Sequence, residues 1–164
     1  MAIEIERRFL LKELPEGSKR GYVVEQGYLS TDPKRTVRVR IFRDCNKTKD
    51  AAWITIKSNI DDSSFSRYEY EYHIPVDEAH ELLKMCLNPI IQKTRYYWGK
   101  DGWEIDVFGN EFAGLIIAEL ELDSENQEIN LPDWASNEIT GKGEYTNAGL
   151  VERWSHEKNS SVCW

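Results

Sequence analysis

Strict alternation of charged and uncharged residues, repeated along seven short stretches, constrains this chain more than any other feature. Residues i and i+2 of an extended strand share a face. "AIEIERRFLL" therefore puts Ile3, Ile5 and Phe9 on one side and Glu4, Glu6 and Arg8 on the other. In "TVRVRIF", Arg38 and Arg40 oppose Val37, Val39 and Ile41. In "WITIKS", Thr55 and Lys57 oppose Ile54 and Ile56. "SRYEYEYHI" sets Arg67, Glu69, Glu71 and His73 against Tyr68, Tyr70, Tyr72 and Ile74. Lys93 and Arg95 share a face in "IQKTRYYW", Glu104 and Asp106 in "WEIDVF", and Glu119 and Glu121 in "IAELEL".

Period-two patterning predicts strands over Ile3–Leu11, Tyr22–Ser30, Arg35–Arg43, Ala52–Ser58, Ser66–Ile74, Ile91–Trp98, Trp103–Gly109 and Leu115–Leu122. Turn residues separate several of them: "TDPK" at 31–34, "SNIDDSS" at 58–64 and "GKDG" at 99–102. The last reads as a hairpin connection. "VDEAHELLKMC" predicts a helix, with Pro75 before it, acids in its first turn, and Ala79, Leu82, Leu83 and Cys86 at helical spacing. A second helix is expected from Asn147 to about Glu157, and loop chemistry fills 123–146. There is no repeat or linker, so one domain over residues 1–164 is expected. Eight strands and few helices predict a sandwich or a closed barrel, mostly antiparallel, with a meander as the default order.

Like charges recur at i, i+2: Glu4/Glu6, Arg38/Arg40, Glu69/Glu71, Lys93/Arg95, Glu104/Asp106 and Glu119/Glu121. An ordinary sheet, apolar inside and charged outside, accounts for any one pair, because solvent screens it. Seven strands with the same pattern favour a closed sheet whose charged face points inward. Bases alone would bind an anion. Carboxylate pairs alone would bind hard cations such as Mg²⁺ or Mn²⁺. Both together suit a metal–polyphosphate, whose charges complete a set that could not stay buried unpaired.

Composition narrows the alternatives. Hydrophobic residues are 40% and charged residues 30% of the 164, so a water-soluble globular chain is expected. A formal charge of −8 argues against general binding to nucleic acid or an anionic membrane. No stretch approaches the ~20 apolar residues of a membrane span, and no secretory pattern opens the chain. Three cysteines (Cys45, Cys86 and Cys163) have no paired spacing. Reduced thiols and a cytoplasmic location are the expectation.

The same residues resemble a known family. "EIERRFL" is similar to the N-terminal E-x-E-x-K signature of the CYTH superfamily, the triphosphate tunnel metalloenzymes. Further matches follow in order: "EQGYLS", "RVR" at 38–40, "TIK" at 55–57, "SRYEYEY", "KTRY" at 93–96, "WEIDVF", "AELEL" and "EITGKGEYTNAGL". The resemblance implies a mainly β (α+β) fold: an eight-stranded antiparallel closed barrel, a tunnel with a charged interior, and a few flanking helices. It implies a divalent metal, Mg²⁺ or Mn²⁺, and a small-molecule triphosphate substrate. Inorganic tripolyphosphate is expected first. Thiamine triphosphatase, class IV adenylyl cyclase and a non-catalytic triphosphate-binding module are the alternatives. A homodimer is expected from many relatives.

Carried over by position, Arg38, Arg40, Lys57, Arg67, Lys93 and Arg95 should bind phosphates. Glu4, Glu6, Glu119 and Glu121 should bind metal or orient the attacking water, and Glu69, Glu71 and Asp106, on the same inner wall, should bind metal or support the residues that do. Arg8 stands where the family usually has Lys. It keeps a phosphate contact and a place in the catalytic set with Glu4 and Glu6. It cannot act as a general acid at neutral pH.

Other conspicuous residues carry less. His73, His80 and His156 lack ligand-like spacing, with His73 near one barrel end. The Tyr68/Tyr70/Tyr72 stripe should pack outward against a helix or a partner subunit. Trp98, Trp103 and Trp134 should be packing residues. The glycines at 141–143 lack the strand–turn–helix context and following Lys-Ser/Thr of a phosphate loop.

Overall fold

The computed structural model describes residues 2–46, 49–60 and 66–160. Part of the predicted 58–64 turn and Cys163 lie outside the described residues. Eight strands form: β1 (Ala2–Leu11), β2 (Lys19–Ser30), β3 (Thr36–Asp44), β4 (Ala51–Asn59), β5 (Ser66–Ile74), β6 (Leu87–Trp98), β7 (Trp103–Phe108) and β8 (Ile116–Glu121). Two helices accompany them, α1 (Val76–Lys84) and α2 (Asn147–Ser160).

The sheet closes on itself in the order β1-β5-β4-β3-β2-β6-β7-β8, and every pairing is antiparallel. This is the closed barrel, not the sandwich. The default order fails at one strand. β2 to β5 and β6 to β8 are meanders, but β1 does not pair with β2. Its first half, Ala2–Ile5, pairs with β5, and its second half, Glu6–Leu11, pairs with β8. Each meander leaves two edges; β2 meets β6 on one side, and β1 bridges β5 and β8 on the other. A closed sheet has no edge to leave unpaired.

Where β5 has ended, residues 137–140 continue the wall along β1. Leu10 N–H donates to Asn137 O and Ile139 N–H to Arg8 O, each at 2.9 Å. Arg7 clamps both Glu138 oxygens at 2.7 and 2.8 Å.

The apolar faces point outward, and most of them are covered. α1 lays Ala79 and Leu83 on Val39, Ile41 and Ala52. Its acidic first turn, Asp77 and Glu78, and Lys84 in its last turn complement the helix dipole. α2 adds Ala148, Leu150 and Val151 to a cluster with Tyr28, Ile91, Phe108 and Ile117. A third cluster holds Phe9, Trp103, Ile105 and Leu120 under Trp134 and Ala135. Trp134 meets Trp98 at 5.1 Å and Trp103 at 4.9 Å, so these tryptophans are packing residues as expected.

The tyrosine stripe points outward, and no helix among the described residues covers it. Tyr72 is 57% and Tyr70 38% exposed, beside Ile3 at 53% and Ile56 at 38%. α1 follows β5 directly but packs across β2, β3 and β4 instead, over Val39, Ile41 and Ala52. No helix among the described residues is long and apolar enough to cross a membrane.

Candidate active site

Alternation along the strands decides which side chains enter the bore, and register decides which of them meet. Of the residues singled out in sequence, all but Asp106 line one cavity of about 290 Å³ inside the barrel. Asp106 lies behind Lys93 and Arg95.

On one wall, Lys57 Nζ donates to both oxygens of Glu4 at 2.8 Å and lies 3.3 Å from Glu69. Arg67 reaches Glu4 at 3.0 Å and Glu6 at 3.3 Å. Arg40 meets Glu71 at 3.4 Å, and Thr55 donates to the same carboxylate at 3.0 Å. Across the bore, Arg95 grips Asp106 through two hydrogen bonds of 2.8 and 2.9 Å and meets Glu104 at 2.9 Å. Lys93 lies 2.7 Å from Asp106. Arg8 faces Glu119 in the β1–β8 register, with Nε at 3.1 Å from Glu119 and 3.8 Å from Glu6.

These pairs leave a residue of unmet need. Arg8 Nη2, Arg38 Nε and Arg40 Nε are buried without a hydrogen-bond partner. Buried donors of this kind are costly unless an acceptor arrives. Burial, together with neighbouring Arg38 and Arg95, pulls Arg40 down to about 9. Burial also lowers Lys93, against the pull of Asp106, to about 8. Both remain cationic at neutral pH, in surroundings that call for more negative charge.

The carboxylates divide into two kinds. Burial pushes Glu4 up, but Lys57 and Arg67 overcome it and hold it at about 2. Burial pushes Glu6 up as well, and here Glu119 and Glu4 beside it add to the effect, raising it to about 7. Glu121 is raised by burial and by Glu4 and Glu69. Crowded carboxylates of this sort are hard oxygen donors, and a divalent cation would relieve their repulsion. The donor set fits such an ion. Among the described residues no three such groups already stand at coordinating distances, because bases hold several of them apart.

Sequence reasoning assigned no site role to five polar residues of the cavity: Tyr28, Thr36, Glu104, Thr146 and Asn147. Glu104 shares its face with Asp106, and Tyr28 falls on the inner parity of β2, so alternation was signal enough for both. Asn147 lies in the matched stretch "EITGKGEYTNAGL", but no strand parity marks its side chain, which enters from α2. Gly141 and Gly143, set aside as a phosphate loop, line a second cavity that shares Glu6, Arg8 and Arg67 with the bore. His73 stacks on Trp53 at 4.3 Å and is exposed, as are His80 and His156.

An eight-stranded antiparallel bore walled by opposed bases and carboxylates defines a class, and residues 2–148 match the CYTH domain. The chain belongs to the CYTH family. It is 40% identical to the inorganic triphosphatase of Acetivibrio thermocellus over 156 residues, covering 93% of this chain and 95% of that one. It is 33% identical to the inorganic triphosphatase of Nitrosomonas europaea over 154 residues, covering 90% and 96%. Its fold matches the crystal structure of the inorganic triphosphatase NE1496 with a TM-score of 0.61 and 31% identity, over 92% of this chain and 95% of that one.

Proposed function

We propose that this protein is a cytoplasmic, divalent-metal-dependent triphosphatase that hydrolyses inorganic tripolyphosphate to pyrophosphate and phosphate in the bore. The carrying observation is the set of buried guanidinium nitrogens without acceptors, Arg8 Nη2, Arg38 Nε and Arg40 Nε, on residues that line one cavity together with carboxylates. The names of the two relatives support the substrate. Free Cys45 and Cys86 agree with a reducing compartment.

Arg38, Arg40, Lys57, Arg67, Lys93 and Arg95 bind the phosphoryl oxygens and balance the charge of the departing pyrophosphate. Arg8 binds as well, and it neutralises Glu119. Glu4, Glu6, Glu119 and Glu121 would hold Mg²⁺ or Mn²⁺, with Glu69 and Glu71 alongside, while Asp106 orients Lys93 and Arg95. When bound, such an ion withdraws electron density from phosphoryl oxygens and offsets their charge. Glu4 has both oxygens taken by Lys57. Glu6, held only by contacts of 3.3 and 3.8 Å, is freer to orient a water and accept its proton. The water oxygen bonds to the terminal phosphorus as the bridging P–O bond opposite it breaks. Positioning and charge stabilisation supply most of such catalysis.

The test is phosphate release from tripolyphosphate, thiamine triphosphate and ATP, each with Mg²⁺, with Mn²⁺ and with chelator. Fastest release from tripolyphosphate, abolished by chelator, is the expected result. Cyclic AMP from ATP would move the assignment to a cyclase. Tight binding with no release would make the protein a sensor.

The uncovered Tyr70/Tyr72 face, continuous with Ile3 and Ile56, supports a homodimer, since exposed tyrosines and aliphatics form interface cores. Sedimentation should show a dimer that Tyr72→Glu converts to an active monomer. A monomeric wild-type protein removes this part of the reading.

A further inference from the structure

The Lys93 ammonium has three donors. Asp106 Oδ2 lies 2.7 Å from it, and Asn147 Oδ1 accepts a hydrogen bond at 2.9 Å. The Phe108 ring sits 5.4 Å away. The third donor is left for the bore.

Asn147 Oδ1 also accepts from Gln26 Nε2 at 2.9 Å. Two donors on one oxygen determine which way the amide faces. Turning both amides over would give the orphaned Gln26 Oε1 a partner, but it would set the Asn147 NH₂ against the Lys93 ammonium. A hydrogen bond to a charged donor is the stronger one, so the oxygen stays with Lys93. The Asn147 nitrogen then faces the other way. Among the described residues Nδ2 makes no hydrogen bond, and Asn147 lines the bore.

We propose that Asn147 is a substrate-binding residue supplied by α2, its Nδ2 donating to a phosphoryl oxygen of the triphosphate that Lys93 also holds. Its amide is locked in the donating orientation by Lys93 and Gln26. This rests on the triphosphatase reading. The side chain is not needed to hold α2, because Ala148, Leu150 and Val151 already seat that helix in the apolar cluster on β6 and β7.

Asn147→Asp separates binding from anchoring. Aspartate keeps an acceptor for Lys93 and Gln26 and has the same shape. It replaces the donating nitrogen with an anionic oxygen facing the phosphate. KM for tripolyphosphate should rise about tenfold or more, with the melting temperature unchanged or higher. Asn147→Ala, which loses the donor without adding repulsion, should raise KM less. An unchanged KM in Asn147→Asp overturns the proposal. So does a KM increase that appears only together with a lowered melting temperature, which would make Asn147 a structural anchor. Calorimetry on the wild-type protein keeps the two readings apart: if it does not bind tripolyphosphate at all, the triphosphatase reading fails first.

Discussion

Glu6→Gln should lower tripolyphosphate turnover by about 100-fold or more at saturating Mg²⁺ or Mn²⁺, the scale of losing one preorganised charge in a reacting site. The exchange keeps the shape of the side chain and removes only its charge and proton-accepting oxygen. The same variant should gain stability. Glu6 titrates at about 7 in the fold, raised by burial and by Glu119 and Glu4. Its ordinary value is 4.5. A raised carboxyl contributes stability that is whole below its unfolded pKa and is lost as pH rises through the folded one. Without added cation, Glu6→Gln should therefore melt above the wild type at pH 8, with the gap narrowing as pH falls and closing below about 4.5. Wild-type turnover in this variant would end the assignment of Glu6. Glu4 works in the opposite direction. Held at about 2, it supports the fold above its ordinary value of 4.5, and that support fades as pH falls toward 2.

Asp106→Ala should be the most destabilising single change in the bore. Asp106 is 1% exposed and is the shared counter-ion of Lys93 and Arg95. Burial opposes its charge, yet those two bases hold its carboxyl well below the ordinary range. Removing it leaves two buried cations facing each other. Breaking a buried pair from one side costs about 3–5 kcal/mol. For a chain of this size that corresponds to about 10 °C in melting temperature. Removing the charge from both sides costs less, so Asp106→Leu combined with Lys93→Met should recover part of the loss. A melting point for Asp106→Ala within about 2 °C of wild type would mean that solvent already screens the pair.

Much of the bore was legible because a strand has an integral period. Once Arg38 and Arg40 are known to share a face, no long-range information is needed to put them on the same wall, and the same holds for Glu119 and Glu121. Closure was legible only indirectly, through the cost of so many like charges side by side. The partners were not legible at all. Arg8 faces Glu119, and Glu4 faces Arg67, because of registers between strands more than sixty residues apart. No local pattern encodes such registers. The position of β1 was misjudged for the same reason: nearness in sequence favours pairing with β2, and closure overrides it. Asn147 sits in the matched stretch "EITGKGEYTNAGL", yet its contacts were not legible there, because it enters the bore from a helix end, where strand parity says nothing.

The split allegiance of β1 has a consequence for synthesis. Glu6 and Arg8 leave the ribosome well before their sheet neighbours, Glu121 and Glu119, which belong to the last of the eight strands to be made. Half of the opening segment must wait, charged and solvated, while the nascent chain assembles around it. Pairings that distant in sequence form slowly. Closure of the ring is thus a late event in the birth of the molecule, and the charges of Glu6, Arg7 and Arg8 keep that waiting segment hydrated until its partners emerge.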